Sequence, residues 1–196
     1  MKLSKIKGHI KEKEICIILN DPASQWLGTL GAVWAVENIR ITEEAIAPLM
    51  DLKEKEQEKI EIYVREKDGD PLNPVNFIGQ LKPAGMKALE GGTEYIFLED
   101  QWNNEMYALD YEYVKTAVGS DKYREYMLAK NGCDRPLIVV NDGMIPVAII
   151  EPESQETMER MQKEMRRIGF MRTGKTGGDA RTDEAQEQEQ TEMEET

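Results

Sequence analysis

Apolar and polar positions along the chain fall into short blocks bounded by turn formers. Glu14-Ile15-Cys16-Ile17-Ile18-Leu19 is β-branched and nearly continuous in apolar character, and Asn20-Asp21-Pro22 closes it; this predicts a strand over 14–19. Ala32-Val33-Trp34-Ala35-Val36 predicts a second strand. Thr42 is a candidate N-cap, and the helix after it should run through Ala45, Ile46, Leu49, Met50 and Leu52, with Glu43 and Glu44 at its positive end. Pro48 inside that segment should kink or shorten it. Ile60-Glu61-Ile62-Tyr63-Val64-Arg65 alternates as a half-buried strand does.

A breaker-rich loop, Lys67 to Pro74, separates this half from the next. Residues 94–99 and 105–110 predict a hairpin joined by Asp100 to Asn104. A helix is expected from Tyr111 to Val118, interrupted at Gly119, restarted at Ser120 and stopped at Asn131-Gly132. Leu137 to Val140 and Met144 to Ile150, flanking Asn141-Asp142-Gly143, give the strongest hairpin signal in the chain. Strand, strand, helix, strand therefore occurs twice. That order predicts an α+β fold with antiparallel sheets, two pseudo-repeated halves sharing one core, and helices on one face, all within residues 1–152.

Residues 153–168 predict an amphipathic helix. Glu153, Glu156 and Glu159 come early, Arg166 and Arg167 late, and Met158, Met161, Met165 and Ile168 share one face. This stripe is the candidate partner-docking element, since methionine adapts to varied grooves. The chain after it, 169–196, is expected to be a disordered acidic tail; over 177–196 eight acids face a single base, Arg181.

Composition narrows the chemistry. One histidine and two cysteines among 196 residues leave no histidine-rich metal centre and no four-cysteine zinc site. No cofactor, no small-molecule substrate and no catalytic residue is expected, so the chain is read as non-enzymatic. The longest apolar runs, such as Ile145 to Ile150, are too short to span a bilayer, and no charged-then-apolar leader is visible; no membrane contact and a cytoplasmic location are expected. Cys16 reads as a buried strand residue and Cys133 as a turn residue, with no disulfide between them. Gly169 to Thr176 matches the phosphate-loop spacing but follows a charged helix rather than a strand, so it is a decoy. Asp68, Asp70 and Asn73 hint at a calcium loop, yet the twelfth position would be Gly79 rather than an acid. His9 lies among lysines with no serine or cysteine pattern near it.

The formal charge is −13, from 25 basic and 38 acidic residues, which opposes passive binding to phosphate backbones. An acidic chain can still carry a local basic face. One candidate is Lys2, Lys5, Lys7, Lys11 and Lys13; the other, the candidate DNA-facing set, is Lys115, Lys122, Arg124 and Lys130.

Leu109-Asp110-Tyr111-Glu112-Tyr113-Val114-Lys115-Thr116-Ala117-Val118 resembles the strand-into-helix segment of a DNA polymerase sliding clamp domain. Pro136 to Val140 and Pro146 to Pro152 resemble the closing strands of such a domain, and Trp34-Ala35-Val36 with Ile41 to Ala45 is similar to the matching part of its first half. The resemblance implies a domain of two similar halves and a protein and DNA platform in replication, of phage or mobile-element origin. It also implies self-association, because one domain alone cannot close a ring. Two departures stand out. Ile150-Glu151-Pro152 lacks a basic residue often found there, and the helix from Thr42 is acidic. The competing expectation is an acidic interaction or inhibitor protein that targets a nucleic-acid-binding partner.

Overall fold

The computed structural model describes residues 3–22, 24–36, 40–117 and 124–167. Two units are distinguished, Met1–Glu159 and Arg160–Thr196. The elements in chain order are α1 (Leu3–Lys13), β1 (Ile15–Asn20), β2 (Gln25–Thr29), β3 (Ala32–Val36), α2 (Glu43–Leu49), α3 (Glu54–Gln57), β4 (Glu61–Glu66), β5 (Asn76–Glu90), β6 (Thr93–Asp100), β7 (Met106–Asp110), α4 (Tyr111–Thr116), β8 (Arg124–Lys130), β9 (Pro136–Asp142), β10 (Ile145–Ile150) and α5 (Gln155–Arg167). The expected α+β class holds.

All ten strands join one mixed sheet, in the order β4-β1-β2-β3-β10-β9-β8-β5-β6-β7. Antiparallel sheets are expected from the sequence; the sheet is instead mixed, with β1 and β4 parallel. A parallel neighbour needs a crossover, and here the crossover carries α2 and α3. The sheet is apolar on both faces. One face packs Cys16, Ile18, Leu27, Trp34, Ile138 and Val140 against Ile6 and Ile10 of α1, Ile46 of α2 and Val114 of α4. The other buries Ile17, Leu19, Trp26, Val33, Val139 and Ile149. Continuous runs such as Cys16-Ile17-Ile18-Leu19 follow from this, because alternate side chains enter different cores.

The loop after β4 covers part of the second face. Lys67 N–H bonds Asn20 O at 2.7 Å beside β1, and Val75 N–H bonds Lys130 O at 2.9 Å beside β8. Between them Leu72 drops into the core, and buried Asp70 accepts the Leu72 N–H (2.8 Å) while pairing with Arg65 (3.4 Å). Asp70 of the calcium-like spacing thus serves a turn.

Four elements, α1, β2, α3 and β5, depart from the sequence pattern by being present at all, and one departs in type. The residues of α1 read only as a lysine run. Gly28 weakens strand propensity and so hides β2; Gly79, Pro83 and Gly85 look like breakers and so hide β5. In β5 they accompany pairing irregularities, between Phe77 and Gly79 on one side and Pro83 and Lys87 on the other. Residues 124–130, expected to be helical, form β8 between β5 and β9. Arg124-Glu125-Tyr126-Met127-Leu128-Ala129-Lys130 is a good helix former, yet Tyr126 and Leu128 face one core and Ala129 the other. Tertiary pairing overrides local propensity here. With these elements added, the order becomes three strands, two helices and β4, then three strands, α4 and three strands.

Gly28 has no room for a side chain. A Cβ there would sit 2.6 Å from Val33 Cα and closer still to Ala32 O. Gly28→Ala should therefore cost about 3 kcal/mol or more, at the upper end for overpacking. Urea unfolding of the variant against the parent chain checks this, and a loss under about 1 kcal/mol would show that β2 and β3 can separate there.

Candidate functional site

The helix-bearing face gathers the one histidine of the chain. Ile6 and Ile10 lie one turn apart on α1 and are fully buried, which seats the helix on the sheet. His9 is carried at the flank of that stripe. Its ring stacks on Trp34 of β3 (centroids 5.4 Å apart, planes 14° apart) and meets Tyr113 of α4 edge-on at 4.9 Å. Trp34 and Tyr113 close the triangle at 5.8 Å, and the Trp34 indole N–H donates to Tyr113 O at 3.1 Å.

β7 runs straight into α4. Asp110 ends the strand and caps the helix, accepting the Glu112 N–H at 2.8 Å. Thr116 Oγ1 donates its hydrogen to Glu112 O (2.8 Å), and so it accepts from His9 Nε2, 3.0 Å away. This assigns the neutral imidazole proton to Nε2 and leaves Nδ1 bare. Burial lowers the His9 pKa below its ordinary 6.5, against the raising pull of Asp110, Glu12 and Glu112. Burial also raises the Asp110 carboxyl, opposed by its bond from the Glu112 N–H and by His9, and it pushes the Tyr113 hydroxyl up to about 12. The Thr116 hydrogen is committed to a helix carbonyl. The cluster therefore joins α1, β3 and α4, and Thr116 is not primed as a nucleophile.

Around this hub lie the cations of the first candidate patch. Lys5 Nζ donates to Lys115 O at 3.4 Å, placing α1 beside α4. Lys7 pairs with Asp51 (3.6 Å), Lys11 with Glu56 (2.6 Å) and Lys13 with Glu12 (3.2 Å). Lys2 lies outside the described residues.

Of the second candidate patch, the described members Arg124 and Lys130 are not brought together. Lys115 is bonded to Glu112, lies 3.6 Å from Glu94, and sits 4.4 Å above the Tyr111 ring, where Lys87 also sits at 3.9 Å. Its pKa is raised, first by the Glu112 bond. Arg124 and Lys130 occupy opposite ends of β8, roughly 20 Å apart at the usual strand rise. Lys130 faces Asp134 at 3.8 Å. Lys122 lies outside the described residues.

Of the candidate docking stripe, Met158 of the first unit is buried, as are Met161 and Met165 of the second; Ile168 lies outside the described residues. The phosphate-loop decoy and the acidic tail also lie outside the described residues. Cys16 is buried, its thiol pushed up to about 12 by desolvation, and Cys133 is exposed. Among the described residues no cluster of three or more His, Cys, Asp or Glu side chains could hold a metal ion, and no helix is long and apolar enough to cross a membrane. The chain matches no protein-family model, no curated protein and no solved structure.

The sequence pattern points to neither the His9 hub nor α1 itself. The available signal is the Ile6 to Ile10 spacing, which makes the lysine run one face of an amphipathic helix and turns His9 toward the core edge.

The lowered His9 pKa has a defined effect on stability. The unfolded chain takes up the proton more readily than the folded one, so the full contribution is present above about pH 6.5 and is lost as pH falls toward the depressed folded value. The melting temperature should drop between about pH 7 and pH 5.5, and His9→Gln should flatten that drop. The ring proton resonances of the lone histidine should titrate below 6.5; a midpoint above that value would contradict the buried, neutral assignment.

Proposed function

We propose that the chain is a non-enzymatic, sliding-clamp-like platform that engages DNA-replication machinery. The observation that carries this reading is architectural. α1 precedes the meander β1-β2-β3, α4 precedes the meander β8-β9-β10, and the two triplets meet antiparallel at β3 and β10. The two leading helices adjoin on one face through the Lys5–Lys115 bond and the His9, Trp34 and Tyr113 stack. Two similar halves are what the resemblance to a clamp domain implies, and the paired helix-plus-three-strand arrangement is the feature that supports this reading. The warrant is fold-level analogy, so the function has to be tested at the face itself.

On this reading the nucleic acid meets α1 and α4, through Lys5, Lys7, Lys11, Lys13 and Lys115. This set joins four lysines of the first candidate basic patch to Lys115 of the candidate DNA-facing set. Contact requires Lys7, Lys11, Lys13 and Lys115 to exchange carboxylates for phosphates, which favours weak binding with a steep salt dependence. Fluorescence anisotropy with duplex DNA should show affinity falling with added salt. Reversing Lys5, Lys7 and Lys115 to Glu should flatten the log–log slope by roughly one for each phosphate no longer engaged. Unchanged affinity in that variant would sink the reading.

A second reading, an acidic interaction or inhibitor protein aimed at a nucleic-acid-binding partner, has one observation in its favour. Glu43, Glu44, Asp51, Glu54 and Glu58 are all exposed along the α2–α3 segment. With Lys53, Lys55 and Lys59 exposed among them, they leave the segment acidic on balance, which suits a basic groove. Neutralising Glu43, Glu44, Glu54 and Glu58 should abolish binding to such a groove while leaving DNA binding by α1 intact.

A further inference from the structure

β4 ends the sheet, and among the described residues no strand pairs with its outer side. Its inner side is fixed by the ladder to β1. Glu61 N–H bonds Glu14 O at 3.0 Å and Lys67 N–H bonds Asn20 O at 2.7 Å. In a parallel ladder, alternate residues turn both backbone groups to the same neighbour. Glu61, Tyr63, Arg65 and Lys67 therefore face β1, while Ile62, Val64 and Glu66 present N–H and C=O outward. Natural edges are usually blunted by proline, a bulge, very short length or charged side chains; of these β4 has only charges, Glu61, Arg65 and Glu66, of both signs. β4 has six residues and no proline, and its register with β1 is unbroken; Tyr63 is 36% and Val64 46% exposed.

The side chains of this edge complement a second copy of themselves. Glu61, Tyr63 and Arg65 lie on one face, with the Tyr63 hydroxyl bonded to Glu61 and the Arg65 guanidinium 4.8 Å above the Tyr63 ring. Ile62 and Val64 lie on the other, where Ile62 already packs on the helix-side core. We infer that β4 is a self-association edge, pairing antiparallel with β4 of a second copy of this chain about a two-fold axis at Tyr63. This goes beyond the platform reading and stands independently of DNA.

Hydrogen-bond parity selects the register. Outward groups must meet outward groups, so an even-numbered residue has to oppose an even-numbered one. A dyad between Tyr63 and Val64, which would set Glu61 against Glu66, is thereby excluded. A dyad at Val64 is allowed, but it sets Ile62 against Glu66 inside the strand itself; charge does not separate the two registers, because Arg65 already pairs with Asp70 and Lys67 with Asp21. The dyad at Tyr63 sets Glu61 against Arg65 twice, Ile62 against Val64 twice, and Tyr63 against itself. Within residues 61–65 every cross-strand pair is then favourable, and each Ile62–Val64 pair exchanges two backbone bonds; Glu66 falls opposite Ile60, which lies just before the strand.

Sedimentation velocity on the full chain should show a concentration-dependent dimer of twice the 22.4 kDa chain mass. Val64→Pro removes an outward N–H that the monomer does not use, so it should abolish the dimer and leave the circular dichroism spectrum unchanged. Glu61→Arg sets like charges opposite Arg65 twice and should weaken dimerisation about tenfold or more. In a Cys133→Ser background, Tyr63→Cys should form an intermolecular disulfide under mild oxidation, and Val64→Cys should not. A parent chain that stays monomeric across the micromolar range, a trimer or larger ring, a Val64→Pro variant that still dimerises, or the opposite crosslinking pattern would each overturn the inference.

Discussion

The short antiparallel seam between β3 and β10 holds the molecule together. Ala32, Val33 and Trp34 pair with Ile150, Ile149 and Ala148, and Glu151 N–H adds a bond to Gly31 O at 2.7 Å. Four strands lie on one side of this seam and six on the other. Without it the two parts would expose edges lined by fully buried residues, among them Ala32, Val33, Ala148 and Ile150. Both cores cross the seam, Trp34 and Ala148 on the helix side, Val33 and Ile149 on the other. Trp34 is also the platform on which His9 stacks, so the hub of the helical face and the closure of the sheet share one residue.

A segment is legible in the sequence when its structure is locally determined. Cys16 to Leu19, Ala32 to Val36 and Leu137 to Val140 are rich in β-branched and aliphatic residues with turn formers at their ends, so composition alone carries them. The hairpin at Asn141-Asp142-Gly143 is equally plain, and Gly143 adopts the positive φ of 62° that such a turn asks of glycine. β8 is hidden because its residues favour a helix in isolation, and only β5 and β9 on either side make them a strand. β5 is hidden by glycine and proline, which serve there as points of irregular pairing. The helical face is hardest of all. It is assembled from residues 5–13, 34 and 110–116, and no local pattern announces that a lysine-rich segment will lie against an aromatic strand more than twenty positions later.

The electrostatic character of the chain is likewise a matter of arrangement. An excess of acid does not leave the lysines idle; most of those near the helices hold a carboxylate, and Lys87, Glu94, Lys115 and Glu112 form a connected run across Tyr111. Pairs this exposed contribute little to stability. Their effect is to set a threshold. A polyanion meeting α1 and α4 must compete with carboxylates already in place, and a polycation must compete with lysines for the same acids.

The seam also sets a timetable. Its two strands are more than a hundred residues apart in sequence, and loop closure over such a distance is slow compared with forming a hairpin. During synthesis at ~5–20 residues per second, β1, β2 and β3 emerge several seconds before Ile150 leaves the ribosome. Throughout that interval the meander carries apolar side chains on both faces and an unpaired edge at β3. The nascent chain is thus most exposed to mispairing just before β10 emerges, and that strand is the one that ends the exposure.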